Sequence, residues 1–230
     1  MHLPLMQIQS VENPDRISEL NKGLDDFDIL IFISRNAVKF SKALFPGLLA
    51  RDRIKIFAVG VGTSEELRRA GFSQVLFNAN GGASEGLLEE SELQGTRIRQ
   101  KNVLIVRGRG GRELLAKELK ARGAYVEYAE LYQRLRPEYD RGHVEKIFES
   151  EKPDAIIISS AEALKNLLEL VRSEYKSPIL NTALVVVSER IRDIALSLGF
   201  SAAIKVTMGY SDDDCIEALK EMFEVGNNEQ

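Results

Sequence analysis

Two hydrophobic patterns alternate along the chain. Short continuous apolar runs are typical of strands buried on both faces, whereas apolar residues that recur every three or four positions are typical of helices. Helical stretches such as Ser64–Gly71 and Glu113–Ala124 separate the strand-like runs, which are 29–33, 56–59, 74–77, 103–106, 155–159, 184–188 and 202–206. This alternation predicts an α/β fold in which helices cover parallel sheets.

The second half of the chain repeats the first. Residues 28–38 match residues 154–164 type by type, and residues 56–72 match residues 184–200. A third match joins the segment that begins at Ser84 to the one that begins at Ser211. The repeat predicts two similar α/β domains, Rossmann- or flavodoxin-like, and paired domains of this kind usually bind a ligand in the cleft between them.

Two segments outside the repeat are predicted to connect the domains. Leu3–Ser10 is partly alternating, and Tyr125–Leu135 alternates apolar and polar residues shortly before Pro137. Alternation of this kind indicates exposed strands. We expect residues 3–9 and 125–134 to form a two-stranded connector about which the domains hinge, leaving residues 10–124 as the first domain and residues 135–226 as the second.

The second domain is predicted to be one strand–helix unit shorter than the first. Residues 102–123 of the first half have no counterpart after Val225. One interpretation is a second domain that is simply smaller. The other is a homologue that lacks its first strand and helix, or a start placed at an internal methionine.

Polar or glycine residues follow several predicted strands. Free N–H groups at the helix N-termini that come next favour anions, so these turns together predict a cleft for a multiply carboxylated or phosphorylated ligand. Taken singly, each turn is also explained by helix capping, and Thr63 with Glu66 has the spacing of a capping box. The residues concerned are Ser34, Arg35, Gly60, Thr63, Ser160 and Ser188.

The segment Arg107–Glu113 combines three arginines with three glycines at the end of a strand. Arginine presents a planar fork to carboxylates and phosphates, so Arg107 or the Gly108 amide is a candidate ligand contact. The segment matches neither the P-loop nor the dinucleotide fingerprint. A solvated basic turn is the alternative interpretation.

Tyr132 lies on the predicted connector strand. A phenol at the mouth of the cleft can donate a hydrogen bond to a leaving hydroxyl or to a substrate carboxylate. Simple packing of an aromatic ring on an extended strand is the alternative.

The composition excludes several classes of function. A net charge of −4 over 230 residues argues against non-specific nucleic-acid binding. The single cysteine, Cys215, excludes an internal disulfide and fits a reducing cytoplasm. His2 and His143 lie in unrelated contexts, so neither a catalytic triad nor a histidine metal site is expected. No apolar run approaches the ~20 residues that cross a bilayer, and no membrane association is expected.

The ordered set of segments resembles the uroporphyrinogen-III synthase family. The segment 103–134, with its RGRGGRELL and LYQR motifs, is the most specific part of the resemblance. The others are ILIFISRNAVKF (29–40), FAVGVGTSEELRRAGF (57–72), SEGLLEESELQ (84–94), DAIIISSAEALKNLLEL (154–170) and ALVVVSERIRDIALSLGF (183–200). The resemblance implies two α/β domains joined by a two-stranded ladder.

The resemblance also implies a reaction that needs no cofactor. Linear hydroxymethylbilane loses its terminal hydroxyl as water, its last pyrrole ring inverts through a spiro intermediate, and closure gives uroporphyrinogen III. Tyr132 falls on the family's commonest candidate for the acid. The cleft residues of the family fall on Ser34, Gly60, Thr63, Ser84, Arg107, Gly108, Ser160 and Ser188. A monomer is expected.

Two departures from the family pattern are visible. Family members usually open with a strand and a helix before the linker strand, whereas this chain starts at Leu3-Pro4-Leu5. Ser188-Glu189 replaces a Gly-Pro-Thr-Thr turn, so no threonine role can be transferred there. The alternatives are a catalytically impaired homologue that binds a tetrapyrrole or another polyanion, and a nucleotide- or phosphate-binding α/β protein.

Overall fold

A computed structural model describes residues 2–45, 47–51, 53–78, 83–140, 142–209 and 211–224. The chain divides into two compact units. The first unit is Ile8–Arg134, and the second unit comprises Met1–Gln7 and Leu135–Gln230. The predicted boundary at residue 226 lies outside the described residues.

The first unit contains a five-stranded sheet in the order β1-β5-β4-β2-β3. Its strands are β1 (Gln7–Ser10), β2 (Ile29–Phe32), β3 (Lys55–Ala58), β4 (Asn102–Gly108) and β5 (Tyr125–Leu135). Its helices are α1 (Pro14–Lys22), α2 (Arg35–Leu44), α3 (Val61–Arg69), α4 (Ala83–Leu87), α5 (Gly95–Ile98) and α6 (Leu114–Ala121). Short 3₁₀ turns lie at Leu24–Asp26, Leu48–Ala50 and Ser91–Leu93.

The central strands of the first unit are parallel and apolar on both faces. β2 pairs in parallel with both β3 and β4, and β4 pairs in parallel with β5. Alternate residues of β2 enter two different hydrophobic cores: Leu30 and Phe32 pack towards α2, whereas Ile29 and Ile31 pack towards α6. Burial on both faces explains why the strand reads as a continuous apolar run.

The second unit contains a three-stranded parallel sheet in the order β6-β7-β8. Its strands are β6 (Ala155–Ile158), β7 (Ala183–Val186) and β8 (Ile204–Val206). Its helices are α7 (His143–Lys146), α8 (Ala161–Leu170), α9 (Lys176–Leu180), α10 (Glu189–Ser197) and α11 (Asp212–Glu224), with a π-helical turn at Ile147–Glu151 and a 3₁₀ turn at Ser173–Tyr175. The mixed α/β fold with parallel sheets predicted from the sequence is therefore confirmed.

The two sheets differ at one matched position of the repeat. Ile31 in β2 is 0% exposed, whereas its counterpart Ile157 in β6 is 47% exposed. β2 has a neighbour on each side, but within the described residues β6 pairs with β7 alone. In the first unit α6 also covers the face that contains Ile31. The same sequence pattern is therefore buried in one unit and half-exposed in the other.

Two predicted strands are corrected. Within the described part of the chain, the run at 74–77 forms only an isolated bridge, between Leu76 and Phe57. The first strand begins at Gln7, not at Leu3, because the residues before it belong to the second unit. There Leu3 and Leu5 pack against the core, and the Asn166 side-chain amide donates to the Leu5 carbonyl at 2.8 Å.

The predicted connector strand is a full member of a sheet. β5 pairs with β4 from Tyr125 to Tyr132, and β1 is its other neighbour. The pairing of the two predicted strands is thus present, but it forms the edge of the five-stranded sheet of the first unit. Most of β5 is consequently fixed within that unit.

Candidate active site

The carboxyl ends of β2, β4 and β5 bring three predicted site residues together. The hydroxyl oxygens of Ser34 and Tyr132 lie 2.8 Å apart, which is a hydrogen bond in which either group can donate. Ser34 is also the N-cap of α2, and its Oγ accepts a hydrogen bond from the Ala37 amide at 3.1 Å. Gly108 lies against the Tyr132 ring. The cap and the hydrogen bond to Tyr132 fix the position of the Ser34 side chain.

A β-bulge decides which way Tyr132 points. Arg107 is opposite Glu130, but the next pair is Gly108 with Tyr132, so Leu131 is an extra residue on β5. Strict alternation would place Tyr132 on the same face as Tyr128, towards α6. After the bulge, both Leu131 and Tyr132 enter the core beneath α2. The bulge therefore turns the phenol towards Ser34.

Tyr132 is tightly enclosed. Its side chain is 1% exposed and its ring stacks on Phe40 with centroids 5.5 Å apart. A Cβ on Gly108 would lie 2.6 Å from the ring atom Cε2, closer than real side chains come. Glycine is therefore required at position 108 for the ring to occupy this place. The packing interpretation of Tyr132 and its polar interpretation both have a structural basis.

Arg107 does not lie at the surface. The residue is 2% exposed, and its guanidinium donates to the Gly108 and Gly110 carbonyls and to Glu113 Oε1, the last at 3.1 Å. The guanidinium also lies over the Tyr128 ring, 4.6 Å from its centroid. A buried charge needs such partners to offset its lost hydration. The alternative prediction of a solvated basic turn is thus wrong for Arg107, although Arg109 and Arg112 are exposed.

Glu113 and Tyr128 complete this arrangement, and the sequence did not point to either. Tyr128 donates its hydroxyl hydrogen to Glu113 Oε2 at 2.5 Å. Burial, together with the adjacent Glu113 carboxylate, raises the pKa of Tyr128 to about 12. The hydrogen bond from Tyr128 and the charge of Arg107 lower the pKa of Glu113.

A second group of predicted residues surrounds the start of α3. Gly60 caps the helix at φ +83, and the Arg35 Nε lies 3.4 Å from the Gly62 carbonyl oxygen. The predicted capping box is wrong, because α3 begins at Val61 and Thr63 lies within its first turn, 5% exposed. Glu66 instead pairs with Arg69 at 2.9 Å. Arg35 and Gly60 follow the carboxyl ends of β2 and β3, as predicted, because these strands end at Phe32 and Ala58.

Ser84 lies on a different element from those that hold the Tyr132–Ser34 pair. It is half-buried in the first turn of the short helix α4, and its carbonyl accepts the Leu88 amide. The residues before α4, 79–82, are outside the described ranges. A cavity of about 750 Å³ in the first unit lies elsewhere, lined by residues 10–14, by α1 and by Leu44. No predicted site residue lines it.

In the second unit, Ser160 and Ser188 occupy equivalent turns. Ser160 caps α8, and its Oγ accepts the Ala163 amide at 3.0 Å, as Ser34 does for α2. Ser188 is the N-cap residue of α10 without a side-chain capping bond among the described residues. The sequence did not single out Thr207, which follows β8 and is 8% exposed. All three residues lie at the carboxyl end of the three-stranded sheet.

The fold and the site define an α/β protein whose polar residues gather at the carboxyl ends of parallel strands, the usual location of ligand sites in such sheets. Among the described residues, no cluster of three or more His, Cys, Asp or Glu could hold a metal ion. Every helix in the described ranges is too short or too polar to span a membrane.

Comparisons with known proteins identify the family. A family model described as uroporphyrinogen-III synthase HemD matches residues 1–209. Uroporphyrinogen-III synthase of Escherichia coli (strain K12) is 32% identical over 225 residues, which are 95% of this chain and 89% of that protein. The Salmonella typhimurium enzyme is 31% identical over 224 residues, covering 94% and 88%. The chain belongs to the uroporphyrinogen-III synthase family.

Solved structures agree at the level of the fold. The Helicobacter pylori uroporphyrinogen-III synthetase gives a TM-score of 0.63 at 18% identity, covering 96% of this chain and 92% of that one. A mutant uroporphyrinogen III synthase from Thermus thermophilus gives 0.58 at 18% identity, covering 98% and 88%. The predicted family and function are confirmed: this is a lyase family of haem biosynthesis that uses no cofactor. The alternative of a nucleotide-binding protein is set aside.

Proposed function

We propose that this chain cyclises linear hydroxymethylbilane to uroporphyrinogen III. The carbon–oxygen bond of the terminal hydroxymethyl group breaks, and the hydroxyl leaves as water after gaining a proton from an acid. The resulting electrophile is attacked by the substituted carbon of the last pyrrole ring, which gives a spiro intermediate. The bond from that carbon to its original bridge then breaks, and the bridge carbon bonds to the free α-carbon of the same ring, which loses its proton. The ring is thereby inverted and the macrocycle is closed. Such a reaction depends on positioning a reactive substrate.

The hydrogen bond between Tyr132 and Ser34 is the observation that supports a specific acid. Ser34 Oγ already accepts the Ala37 amide, and its own hydrogen can be donated to the Tyr132 oxygen. The phenol hydrogen is then available for the leaving hydroxyl of the substrate. In this proposal Tyr132 is the acid and Ser34 orients it.

The substrate carboxylates are proposed to bind the polar groups at the strand ends. In the first unit the proposed carboxylate contacts are Arg35, the turns at Gly60 and Thr63, Ser84 and the Gly108 backbone. In the second unit they are Ser160 and Ser188. Arg107 is not among the proposed contacts, because its guanidinium hydrogens are directed at Gly108, Gly110 and Glu113.

The finer architecture is also a proposal. The sequence repeat and the parallel orders β4-β2-β3 and β6-β7-β8 support two related, flavodoxin-like domains. The chain passes from one unit to the other at Gln7–Ile8 and at Arg134–Leu135, which we propose as the connector. A monomer located in the cytoplasm remains the expectation from the sequence.

Replacement of Tyr132 by Phe tests the acid. The ring and its stacking on Phe40 are kept, so we expect little change in stability but a kcat at least ~10-fold lower, with hydroxymethylbilane as substrate and the type III isomer as the measured product. Tyr125→Phe is the matched control, because Tyr125 lies on the same strand and is 63% exposed. An unchanged kcat for Tyr132→Phe, with a loss of stability, would mean that Tyr132 has a packing role and is not the acid.

A binding protein without catalysis is the second candidate. The 1% exposure of Tyr132 favours this interpretation, because an enclosed phenol meets substrate less readily. Such a protein would bind uroporphyrinogen III while hydroxymethylbilane closed spontaneously to the type I isomer. Isomer analysis of the unmodified chain therefore decides between the two.

A further inference from the structure

We infer that Arg107 is a positioning residue, which holds the Gly108–Gly111 turn and the β-bulge so that Tyr132 points at Ser34. The inference rests on the proposed role of Tyr132. It assigns Arg107 an indirect part in the reaction in place of the contact with substrate predicted from the sequence.

Arg107 makes more than one hydrogen bond to a single turn, Gly108–Gly111. Its guanidinium binds the carbonyls of Gly108 and Gly110, on either side of Arg109. The Gly110 amide in turn lies 3.3 Å from Glu130 Oε1. Gly110 and Gly111 have φ values of +74 and +101, a backbone region that favours glycine. The turn is therefore held from both sides.

The turn is bonded directly to Tyr132. The Arg109 amide donates to the Tyr132 carbonyl at 2.7 Å, immediately after the bulge. Because Gly108 is opposite Tyr132 and touches its ring, a shift of the turn moves both the backbone and the side chain of Tyr132. A slip of one residue would return the phenol to the face of Tyr128.

Arg107 itself is held by Tyr128 and Glu113. Tyr128 and Glu113 come from β5 and from the start of α6, and their mutual hydrogen bond fixes the carboxylate that pairs with the guanidinium. The Tyr128 ring supports the flat face of the guanidinium. Lysine cannot reproduce these contacts, because it is a point charge without a planar fork.

Arg107→Lys is the test, with hydroxymethylbilane as substrate. We expect kcat to fall roughly 10-fold, because a misplacement near 1 Å has effects of that order or larger, while KM changes little. Glu113→Ala is the milder second variant. Glu113 is exposed and makes no side-chain capping bond among the described residues, so the variant should fold. Its kcat should fall, but by less than that of Arg107→Lys. In a Tyr132→Phe background, neither change should lower kcat further.

Arg122→Lys is the matched control. The Arg122 guanidinium also donates to two backbone carbonyls, those of Leu88 and Leu93, but beside the amino end of β5. It should lower stability and leave kcat unchanged.

Several outcomes would overturn the inference. A higher KM for Arg107→Lys at unchanged kcat would mean direct contact with substrate. A full additional loss of kcat in the Tyr132→Phe background, or an equal loss of kcat in Arg122→Lys, would mean that the substitution loosens the structure generally and does not act through Tyr132. If Tyr132→Phe keeps its kcat, the proposed acid fails and the positioning role fails with it. If Tyr132→Phe is slow and Arg107→Lys is not, only the positioning role fails.

Discussion

Replacement of Gly108 by Ala is the sharpest test of the site geometry. The new Cβ would lie 2.6 Å from Cε2 and 2.7 Å from Cζ of Tyr132. Ordinary carbon contacts are near ~3.5 Å, so the ring must recede by about 1 Å. It cannot do so freely, because Phe40 stacks on it and Ser34 holds its hydroxyl. Overpacking of this kind costs about 1–3 kcal/mol, and the lost hydrogen bond adds about 1 kcal/mol.

Urea unfolding and the rate of type III formation measure the two consequences. We expect Gly108→Ala to lose about 2–4 kcal/mol of unfolding free energy and to lower kcat, because the phenol moves away from Ser34. Gly95→Ala is the control: Gly95 has φ +54 with open space around it, so it should cost about 1–2 kcal/mol of backbone strain and leave kcat unchanged.

A double-mutant cycle decides whether the clash is the cause. In a Tyr132→Ala background the ring is absent, so Gly108→Ala should cost almost nothing further. An equal cost in both backgrounds, or wild-type stability and rate for Gly108→Ala alone, would refute the packing argument.

Two further predictions concern stability. Ile31→Ala should lower the free energy of unfolding by about 2–5 kcal/mol and Ile157→Ala by only about 1 kcal/mol, because Ile31 is 0% and Ile157 47% exposed. Urea unfolding of both variants measures this difference, and equal losses would contradict it. Between pH 10 and about 12, the unfolded chain loses the Tyr128 proton while the folded protein keeps it, so stability should fall as pH rises through this range. Urea unfolding of Tyr128→Phe should show a weaker fall, and identical profiles would argue against the raised pKa.

Much of the fold follows from local pattern. The apolar runs at Ile29, Val103 and Leu184 predicted strands because a strand buried on both faces must be apolar throughout. The run at 74–77 has the same pattern but forms a single bridge at Leu76. Pattern alone cannot tell how many backbone partners a segment finds.

The candidate site was predicted in part. Helix capping was one of the two interpretations of Ser34 and Ser160, and both make the capping bond, which is local chemistry. Their predicted contact with substrate stays a prediction. The burial of Arg107 was not predicted, because its partner Tyr128 is distant in sequence. The hydrophobic pattern also could not predict which face of β5 Tyr132 occupies, because one bulged residue reverses that face.

The sequence by itself determined the element order, the internal repeat and the family, because periodicity and ordered motifs are properties of the chain. The tertiary structure alone decided which groups are buried and which meet. Ile31 and Ile157 have the same local sequence pattern, yet among the described residues only Ile31 has a strand on both sides and a helix above it. Tyr132 meets Ser34 because the register between β4 and β5 shifts at Gly108. Burial and register depend on contacts between distant segments, and hydrophobic periodicity does not encode them.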